Sequence, residues 1–136
     1  MDIELQFFKA CADGDVKTVA SSIPMLKHID VKTDEGWTGL VKAVFNEHFD
    51  VAKLLVAHGA DVNATNHKGT TIFMYAKTPV FASKNIEILD WLIDQGANLN
   101  VTEHRSLTVL DYVKQEGATW LEKWLLERGA KYANEL

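Results

Sequence analysis

The sequence has a single cysteine, Cys11, and therefore cannot form an internal disulfide bond. This scarcity agrees with a reducing compartment. No stretch approaches the length of apolar sequence that a membrane span requires, and residues 1–5 lack the basic and apolar regions of a secretory signal. We therefore expect a cytoplasmic protein that makes no contact with a membrane.

The chain also has a deficit of positive charge. It contains 14 Lys and Arg residues against 19 Asp and Glu residues, which gives a formal net charge of −5. Nucleic-acid phosphates attract surfaces rich in lysine and arginine. A nucleic-acid partner is therefore not expected.

Recognisable catalytic and metal-binding motifs are missing. None of the five histidines pairs with another histidine, a cysteine or a carboxylate in a known ligand pattern at helical spacing. There is no nucleophile elbow, phosphate-binding glycine loop or zinc-peptidase motif. Cys11 lies among apolar residues, where a small buried thiol is the usual role. We expect no catalytic residues, no metal and no cofactor, and hence no enzyme.

A short phrase occurs three times along the chain. It reads Gly-Ala-Asp-Val-Asn at 59–63, Gly-Ala-Asn-Leu-Asn at 96–100 and Gly-Ala-Lys-Tyr at 129–132. The copies are separated by 37 residues and then by 33. Repetition at this period indicates an array of stacked units. With 136 residues, the chain has the length for a single domain, 1–136, around one continuous core.

Each unit is predicted to be a helix, a turn, a second helix and an extended loop. Thr38, Thr71 and Thr108 precede short apolar runs, where a threonine hydroxyl can cap a first helical turn. A second apolar run with i, i+3, i+4 spacing follows and ends at the glycine of the repeated phrase, which can adopt a left-handed backbone. In the first unit the two helices are expected at 7–12 and 15–23. The pattern predicts an all-α fold with units at about 2–32, 33–65, 66–102 and 103–136.

The stretch from Gly36 to Asn63 resembles the ankyrin repeat, with Gly-x-Thr before the first helix and Gly-Ala-Asp-Val-Asn-Ala after the second. The resemblance covers essentially the whole chain. It implies a solenoid of stacked helix-turn-helix pairs joined by hairpin-like loops. Proteins of this family bind other proteins on a concave side and carry no catalytic machinery. The family's histidine is replaced by Val41, Met74 and Asp111, which predicts more apolar packing at that position.

The resemblance also implies where a partner binds. The family's variable contact positions are the loop tips and the exposed face of each inner helix. In this chain they are Asp34, Glu35, Trp37, Phe45 and Asn46, then His67, Lys68, Thr70 and Thr78, then His104, Arg105, Leu107, Gln115 and Glu116. The tips change from acidic to basic along this series, which can orient a charged partner. A solvated surface without a partner has the same pattern.

Three aromatic residues have two interpretations each. Trp37 at a loop tip is typical of an interface anchor, because tryptophan is enriched among binding hot spots. Alternatively, it covers the base of its own hairpin. Tyr75 and Tyr112 share an inner-helix position, where core packing is favoured and an aromatic strip on the binding face is the alternative.

The uneven interval places four extra residues between the two helices of the third unit, within 77–85. Pro79 is expected to end the inner helix early, so that Val80 and Phe81 lie in an exposed loop. Insertions in repeat arrays often lie on the binding face, which makes Phe81 a further candidate contact residue. The alternative is that its ring folds back onto the stack.

The function expected from these features is a non-enzymatic, monomeric module that binds one protein partner through its concave face. A sharper alternative is an inhibitory or immunity-type partner that masks another protein's site. A different alternative is a self-associating structural subunit that uses the aromatic-rich last unit. Sedimentation distinguishes this last alternative from the first two.

Overall fold

The computed structural model describes residues 2–136. Within this range, eight α-helices follow one another, and no β-strand is formed apart from one isolated antiparallel bridge between Lys32 and Thr38. Two short 3-10 helices occur at Ile23–Met25 and Ala133–Glu135. The all-α prediction is therefore confirmed. The helices are α1 (Ile3–Asp13), α2 (Val16–Ser22), α3 (Gly39–Phe45), α4 (Phe49–Ala57), α5 (Ile72–Ser83), α6 (Glu87–Asp94), α7 (Val109–Gln115) and α8 (Thr119–Glu127).

Three inner helices begin as the threonine pattern predicts. The hydroxyl oxygens of Thr38, Thr71 and Thr108 accept hydrogen bonds from the backbone N–H groups three residues later, at 3.2, 3.4 and 3.3 Å. Each bond satisfies a donor of the first turn that has no partner within the helix. The starts of α3, α5 and α7 are thus fixed by local sequence.

The helices pack in an alternating order. The odd-numbered, inner helices stack in series, with α1 on α3, α3 on α5 and α5 on α7, while α3 packs on α4 and α7 on α8. The core repeats with the units: Phe7, Leu40, Phe73 and Leu110 occupy equivalent positions and are each at most 2% exposed. Burial of one large apolar side chain per unit stabilises the stack through the hydrophobic effect. None of the helices formed by residues 2–136 is long and apolar enough to cross a membrane.

The inserted residues lengthen a helix and do not form a loop. α5 has 12 residues where α3 and α7 have 7. The four extra residues correspond to about one helical turn of 3.6 residues, so the apolar face keeps its direction. In the second unit, the turn between the two helices contains Glu47, which has a left-handed backbone conformation. In the third unit the equivalent left-handed residue is Lys84.

The expectation that Pro79 ends the inner helix is therefore wrong. Pro79 lies inside α5, where it has no N–H to donate to the carbonyl of Tyr75. Val80, expected to be exposed, is 0% exposed. Burial of Val80 offsets the hydrogen bond that proline removes, and the helix continues to Ser83.

Side-chain amides join the repeated phrases of successive units. Asn63 accepts a hydrogen bond from the backbone N–H of Asn98 at 2.8 Å and donates one to the carbonyl of Gly96 at 3.0 Å. Asn100 makes the equivalent pair with Lys131 and Gly129, at 2.8 and 3.3 Å. The asparagine at the end of the repeated phrase therefore fixes the spacing between neighbouring units.

Two further expectations from the sequence need correction. α1 begins at Ile3, not at residue 7, because the Asp2 carboxylate accepts a hydrogen bond from the N–H of Glu4 at 2.9 Å and caps the helix earlier. Asp111 does not contribute apolar packing: its Oδ2 accepts from the N–H of Thr108 at 2.9 Å and of Ala133 at 3.1 Å. The fourth unit therefore has a hydrogen-bonded carboxylate where the family has its histidine.

Candidate functional site

A groove of about 290 Å³ crosses the inner helices of three consecutive units. We call it the inner-helix groove. α3 contributes one residue to it, α5 and the loop before it contribute five, and α7 contributes Tyr112 and the residue that follows the helix. Its lining residues are Phe45, Thr70, Met74, Tyr75, Lys77, Thr78, Tyr112 and Glu116.

One wall of the groove is an aromatic cluster. The ring of Trp37 lies 4.8 Å from that of Tyr75 and 6.0 Å from that of Phe45, centroid to centroid. The ammonium group of Lys42 lies over the Trp37 ring, 5.0 Å from its centre. Trp37 is half-buried by these contacts. Its ring contacts the inner helix of its own unit and that of the next unit, so it supports the groove.

Tyr75 is held in place at its hydroxyl. The side-chain amide of Asn66 donates a hydrogen bond to the Tyr75 hydroxyl at 2.8 Å, and Asn66 Oδ1 accepts from the N–H groups of Lys68 and Thr70 at 2.9 Å each. Burial raises the pKa of Tyr75 above its ordinary value, although the bond from Asn66 opposes this rise. Tyr75 is therefore a neutral, fixed wall of the groove at physiological pH.

The opposite wall combines Tyr112 with three charged groups. Lys77 Nζ lies 2.7 Å from Glu116 Oε1 and 5.6 Å from the centre of the Tyr112 ring. The Arg105 guanidinium donates to the Tyr112 hydroxyl, with distances of 2.8 Å from Nη2 and 3.2 Å from Nε. Tyr112 thus links the loop tip of the fourth unit to the groove.

A buried carboxylate shapes that loop tip. Oε1 of Glu103 accepts hydrogen bonds from the N–H groups of Arg105 and Leu107 at 2.9 and 3.1 Å, and Oε2 lies 2.8 Å from Nδ1 of His104. Burial alone raises the pKa of Glu103, but the hydrogen bonds from Leu107, Tyr112 and Arg105 and the charge of His104 outweigh it. The pKa therefore lies below its ordinary value, and Glu103 is a carboxylate near neutral pH.

The loop tips of the second, third and fourth units form a connected row. The ring nitrogen Nε2 of His67 lies 3.2 Å from the carbonyl oxygen of Asp34, and the N–H of His104 donates to the carbonyl of Lys68 at 2.8 Å. These four side chains are exposed. A second cleft, of about 470 Å³, lies at the acidic end of the row. Its lining includes Asp2, Glu4, Asp34 and Glu35, together with Lys32 and Lys42.

The structure brings together only part of the set that the sequence singled out. Phe45, Thr70, Thr78 and Glu116 line the groove, whereas Asn46, Leu107 and Gln115 do not. The remaining tip residues, including His67, Lys68, His104 and Arg105, lie exposed along the row.

Phe81 lies away from the groove and is not in a loop. It is helical and stacks on Trp120, with ring centroids 5.9 Å apart. The alternative that its ring folds back onto the stack is therefore the one observed, and the reason is the extra turn of α5.

Sequence reasoning missed Met74 and Lys77 as groove residues. Tyr75 and Tyr112 are half-buried: both pack against the core, as favoured from the sequence, and both also line the groove. The repeat register indicated the position of Tyr75 on the groove. Lys42 and Phe45 in the second unit are equivalent to Tyr75 and Thr78 in the third. Residues i and i+3 on one helix share a face, so a contact position at Phe45 implies one at Lys42 and its equivalents.

Residues 2–136 contain no cluster of three or more His, Cys, Asp or Glu side chains placed to hold a metal ion. Cys11 is fully buried, and this burial raises the pKa of its thiol to about 12. The thiol is therefore protonated and unreactive at neutral pH.

The stacked helix pairs, the row of loop tips and the groove across three inner helices define a helical repeat protein of the solenoid type. A family model described as ankyrin repeats, in three copies, matches residues 7–103. The chain belongs to the ankyrin-repeat family, and the resemblance stated from the sequence is confirmed. Ankyrin repeats generally mediate interactions between proteins and are typically not enzymes.

One curated relative matches a shorter stretch. Over 37 residues, or 27% of this chain, the sequence is 43% identical to ankyrin repeat domain-containing protein 49 of Bos taurus. The matched stretch spans 16% of that protein. The matched stretch is about one repeat long, so the similarity concerns the sequence of a single repeat.

Proposed function

We propose that this chain is a non-enzymatic interaction module that binds a partner protein through its concave face. The contact surface comprises the inner-helix groove and the row of loop tips. The observation that carries the proposal is the groove itself, a cavity of about 290 Å³ whose walls come from three consecutive units. Such a site lies where the family's stacking leaves its inner helices open to a partner.

The composition of the groove supports a protein ligand. Phe45, Met74, Tyr75 and Tyr112 supply apolar and aromatic area, while Thr70 and Thr78 supply hydroxyl groups. Binding hot spots are typically large side chains that fill a desolvated pocket, surrounded by contacts that exclude water. The net charge of −5 makes a nucleic-acid ligand unfavourable.

The rigidity of the groove also supports this function. Asn66 fixes Tyr75, the Lys77–Glu116 ion pair joins α5 to the end of α7, and Arg105 fixes Tyr112. Because these side chains are already held in place, a partner loses less free energy in ordering them. We propose that the chain binds in this way as a monomer in the cytoplasm.

A position-specific crosslinking experiment tests this function. A photoreactive amino acid is placed at Thr78, which is exposed in the groove, or at Lys123, which is exposed on the outer helix α8. In extract from the source cells, we expect a discrete protein adduct at Thr78 and none of that mass at Lys123. The adduct should disappear when unlabelled protein is added in excess.

Equal adducts at both positions, or none at Thr78, would contradict binding through the groove. Adducts whose mass equals two copies of this chain would instead identify self-association. Sedimentation at micromolar concentration provides the independent check, since a monomer is expected.

A further inference from the structure

The inner-helix groove has room for one large side chain. An apolar protein cavity of about 150 Å³ is enough to bind benzene, and the groove measures about 290 Å³. Its walls include the aromatic rings of Phe45, Tyr75 and Tyr112. Rings of this kind favour an aromatic or large aliphatic group, through edge and stacking contacts.

Positive charge lies beside the groove on the side of the loop tips. The Arg105 guanidinium rests on the Tyr112 ring, 5.1 Å from its centre, and Lys68 is exposed on the adjacent tip. Among residues 2–136, neither Arg105 nor Lys68 forms an ion pair within 4.0 Å, whereas the neighbouring His104 pairs with Glu103. Arg105, which contacts the groove-lining Tyr112, and Lys68, which lies two residues before the groove-lining Thr70, are thus open to a carboxylate from outside.

The other edges of the groove disfavour a carboxylate. At the ends of the helices, the Lys77 ammonium is already bound to Glu116 at 2.7 Å. Toward the first unit, the exposed carboxylates of Asp34 and Glu35 repel an acidic group. Like charges brought together at an interface reduce affinity, so this arrangement sets an orientation.

We propose that the occupant of the groove is an extended protein segment with a large apolar side chain next to an acidic residue. The apolar side chain enters between Phe45, Tyr75 and Tyr112. The carboxylate lies against Lys68 and Arg105, with the acidic side of the segment facing the fourth unit. This inference rests on the proposed function and adds the chemistry of the partner.

Selection from a displayed library of random 12-residue peptides tests the inference. We expect the peptides that bind the unmodified chain to carry Asp or Glu within three residues of Trp, Phe or Leu. The variant Lys68→Glu with Arg105→Glu should bind those same peptides at least about tenfold more weakly. Selection against that variant should instead enrich Lys or Arg beside the apolar residue.

The matched control is Lys17→Glu with Lys123→Glu. It makes the same change in net charge at exposed lysines of the outer helices α2 and α8. Its affinity for the selected peptides should stay within about twofold of the unmodified chain. Lys68→Glu alone leaves the Arg105–Tyr112 contact intact and should give a smaller loss in the same direction.

Three results would overturn the inference. They are selected peptides without an excess of acidic residues, a control variant weakened as much as the Lys68 and Arg105 variant, and the absence of any selected peptide. Crosslinking at Thr78 distinguishes an error in the acidic-apolar segment from an error in the proposed function. A partner adduct at Thr78 together with any of these results rejects the acidic-apolar segment and retains the binding face.

Discussion

The ring of Phe81 lies parallel to that of Trp120, with the ring planes 9° apart and the centroids 5.9 Å apart. Phe81 is on the additional turn of α5, and Trp120 is near the start of α8 in the next unit. The inserted turn therefore carries an aromatic contact between units. The equivalent helices α3 and α7 end too early to make such a contact.

Replacing Phe81 with alanine should lower the free energy of unfolding by about 1–2 kcal/mol, measured by urea unfolding with circular dichroism. The stacked pair contributes about 0.5–1.5 kcal/mol beyond area burial, and Phe81 is 42% exposed, so the loss is smaller than for a core residue. Phe81→Leu keeps apolar area without the ring and should lose about half as much. An unchanged midpoint for Phe81→Ala would show that the stack contributes nothing to stability.

The period of the sequence located the four extra residues but not their conformation. The expected loop rested on Pro79, and the effect of proline on a helix is local. The burial of Val80 depends on the neighbouring units, which a local rule does not include. An insertion close to one helical turn leaves the apolar face in register, and this length was the available signal for a longer helix.

The candidate site was predictable only in part from the family's contact positions. These positions gave Phe45, Thr70 and Thr78, which line the groove, but Leu107 and Gln115, the equivalents of Thr70 and Thr78 in the fourth unit, do not. Lys77 was not predictable, because its place depends on the ion pair with Glu116 of the next unit. Pairings between units follow from how the helices stack, and the spacing of residues within one unit does not contain them.

Ser106 occupies a turn position where the second and third units have glycine. Its φ is +61°, while Gly36 and Gly69 have φ values of +89° and +78°. A residue with a Cβ is disfavoured by about 1–2 kcal/mol in the left-handed region. We expect Ser106→Gly to raise the free energy of unfolding by about 0.5–1 kcal/mol, since glycine's greater freedom in the unfolded chain offsets part of the gain.

The reverse change at the equivalent tip is the control. A Cβ added at Gly36 would lie 3.0 Å from the backbone nitrogen of His67, closer than side chains normally approach. Gly36→Ser should therefore destabilise the fold in the same urea assay. If Ser106→Gly lowers the midpoint instead, the serine stabilises the turn by a contact that outweighs its backbone strain.

The stability of the fourth loop tip should depend on pH through Glu103. Its pKa in the folded chain lies below the ordinary value of about 4.5, despite burial, because of hydrogen bonds from Leu107, Tyr112 and Arg105 and the charge of His104. A lowered pKa stabilises the fold above the ordinary pKa, and this stability is lost as pH falls through the folded value. The contribution is therefore present at pH 7 and declines below about pH 4.5.

Glu103→Gln isolates this contribution from the other carboxylates. The variant should be less stable than the unmodified chain at pH 7, and the difference in urea midpoint should shrink as pH falls from 5 to 3. Glu127→Gln, at an exposed carboxylate of α8 that forms no side-chain hydrogen bond or ion pair within residues 2–136, is the comparison for a neutralised charge. A difference between Glu103→Gln and the unmodified chain that stays constant over this range would contradict the role of the carboxylate.

The link between units at Asn63 has a weaker equivalent at Asp30. Asn63 both accepts from Asn98 N–H and donates to the Gly96 carbonyl, whereas the Asp30 carboxylate only accepts, from Asp61 N–H at 3.1 and 3.2 Å. Each hydrogen bond is worth about 0.5–1.5 kcal/mol net. Asn63→Ala should therefore cost about 1–2 kcal/mol of unfolding free energy.

Exchanging the two residue types tests whether the donor matters. Asn63→Asp keeps the acceptor and should lose about 1 kcal/mol, while Asp30→Asn supplies an amide that can donate to the carbonyl of Gly59, the equivalent of Gly96. We expect Asp30→Asn to raise the urea midpoint and Asn63→Asp to lower it. The reverse pattern, with Asp30→Asn lowering the midpoint and Asn63→Asp raising it, would mean that a charged acceptor, and not the amide donor, determines how firmly the units are joined.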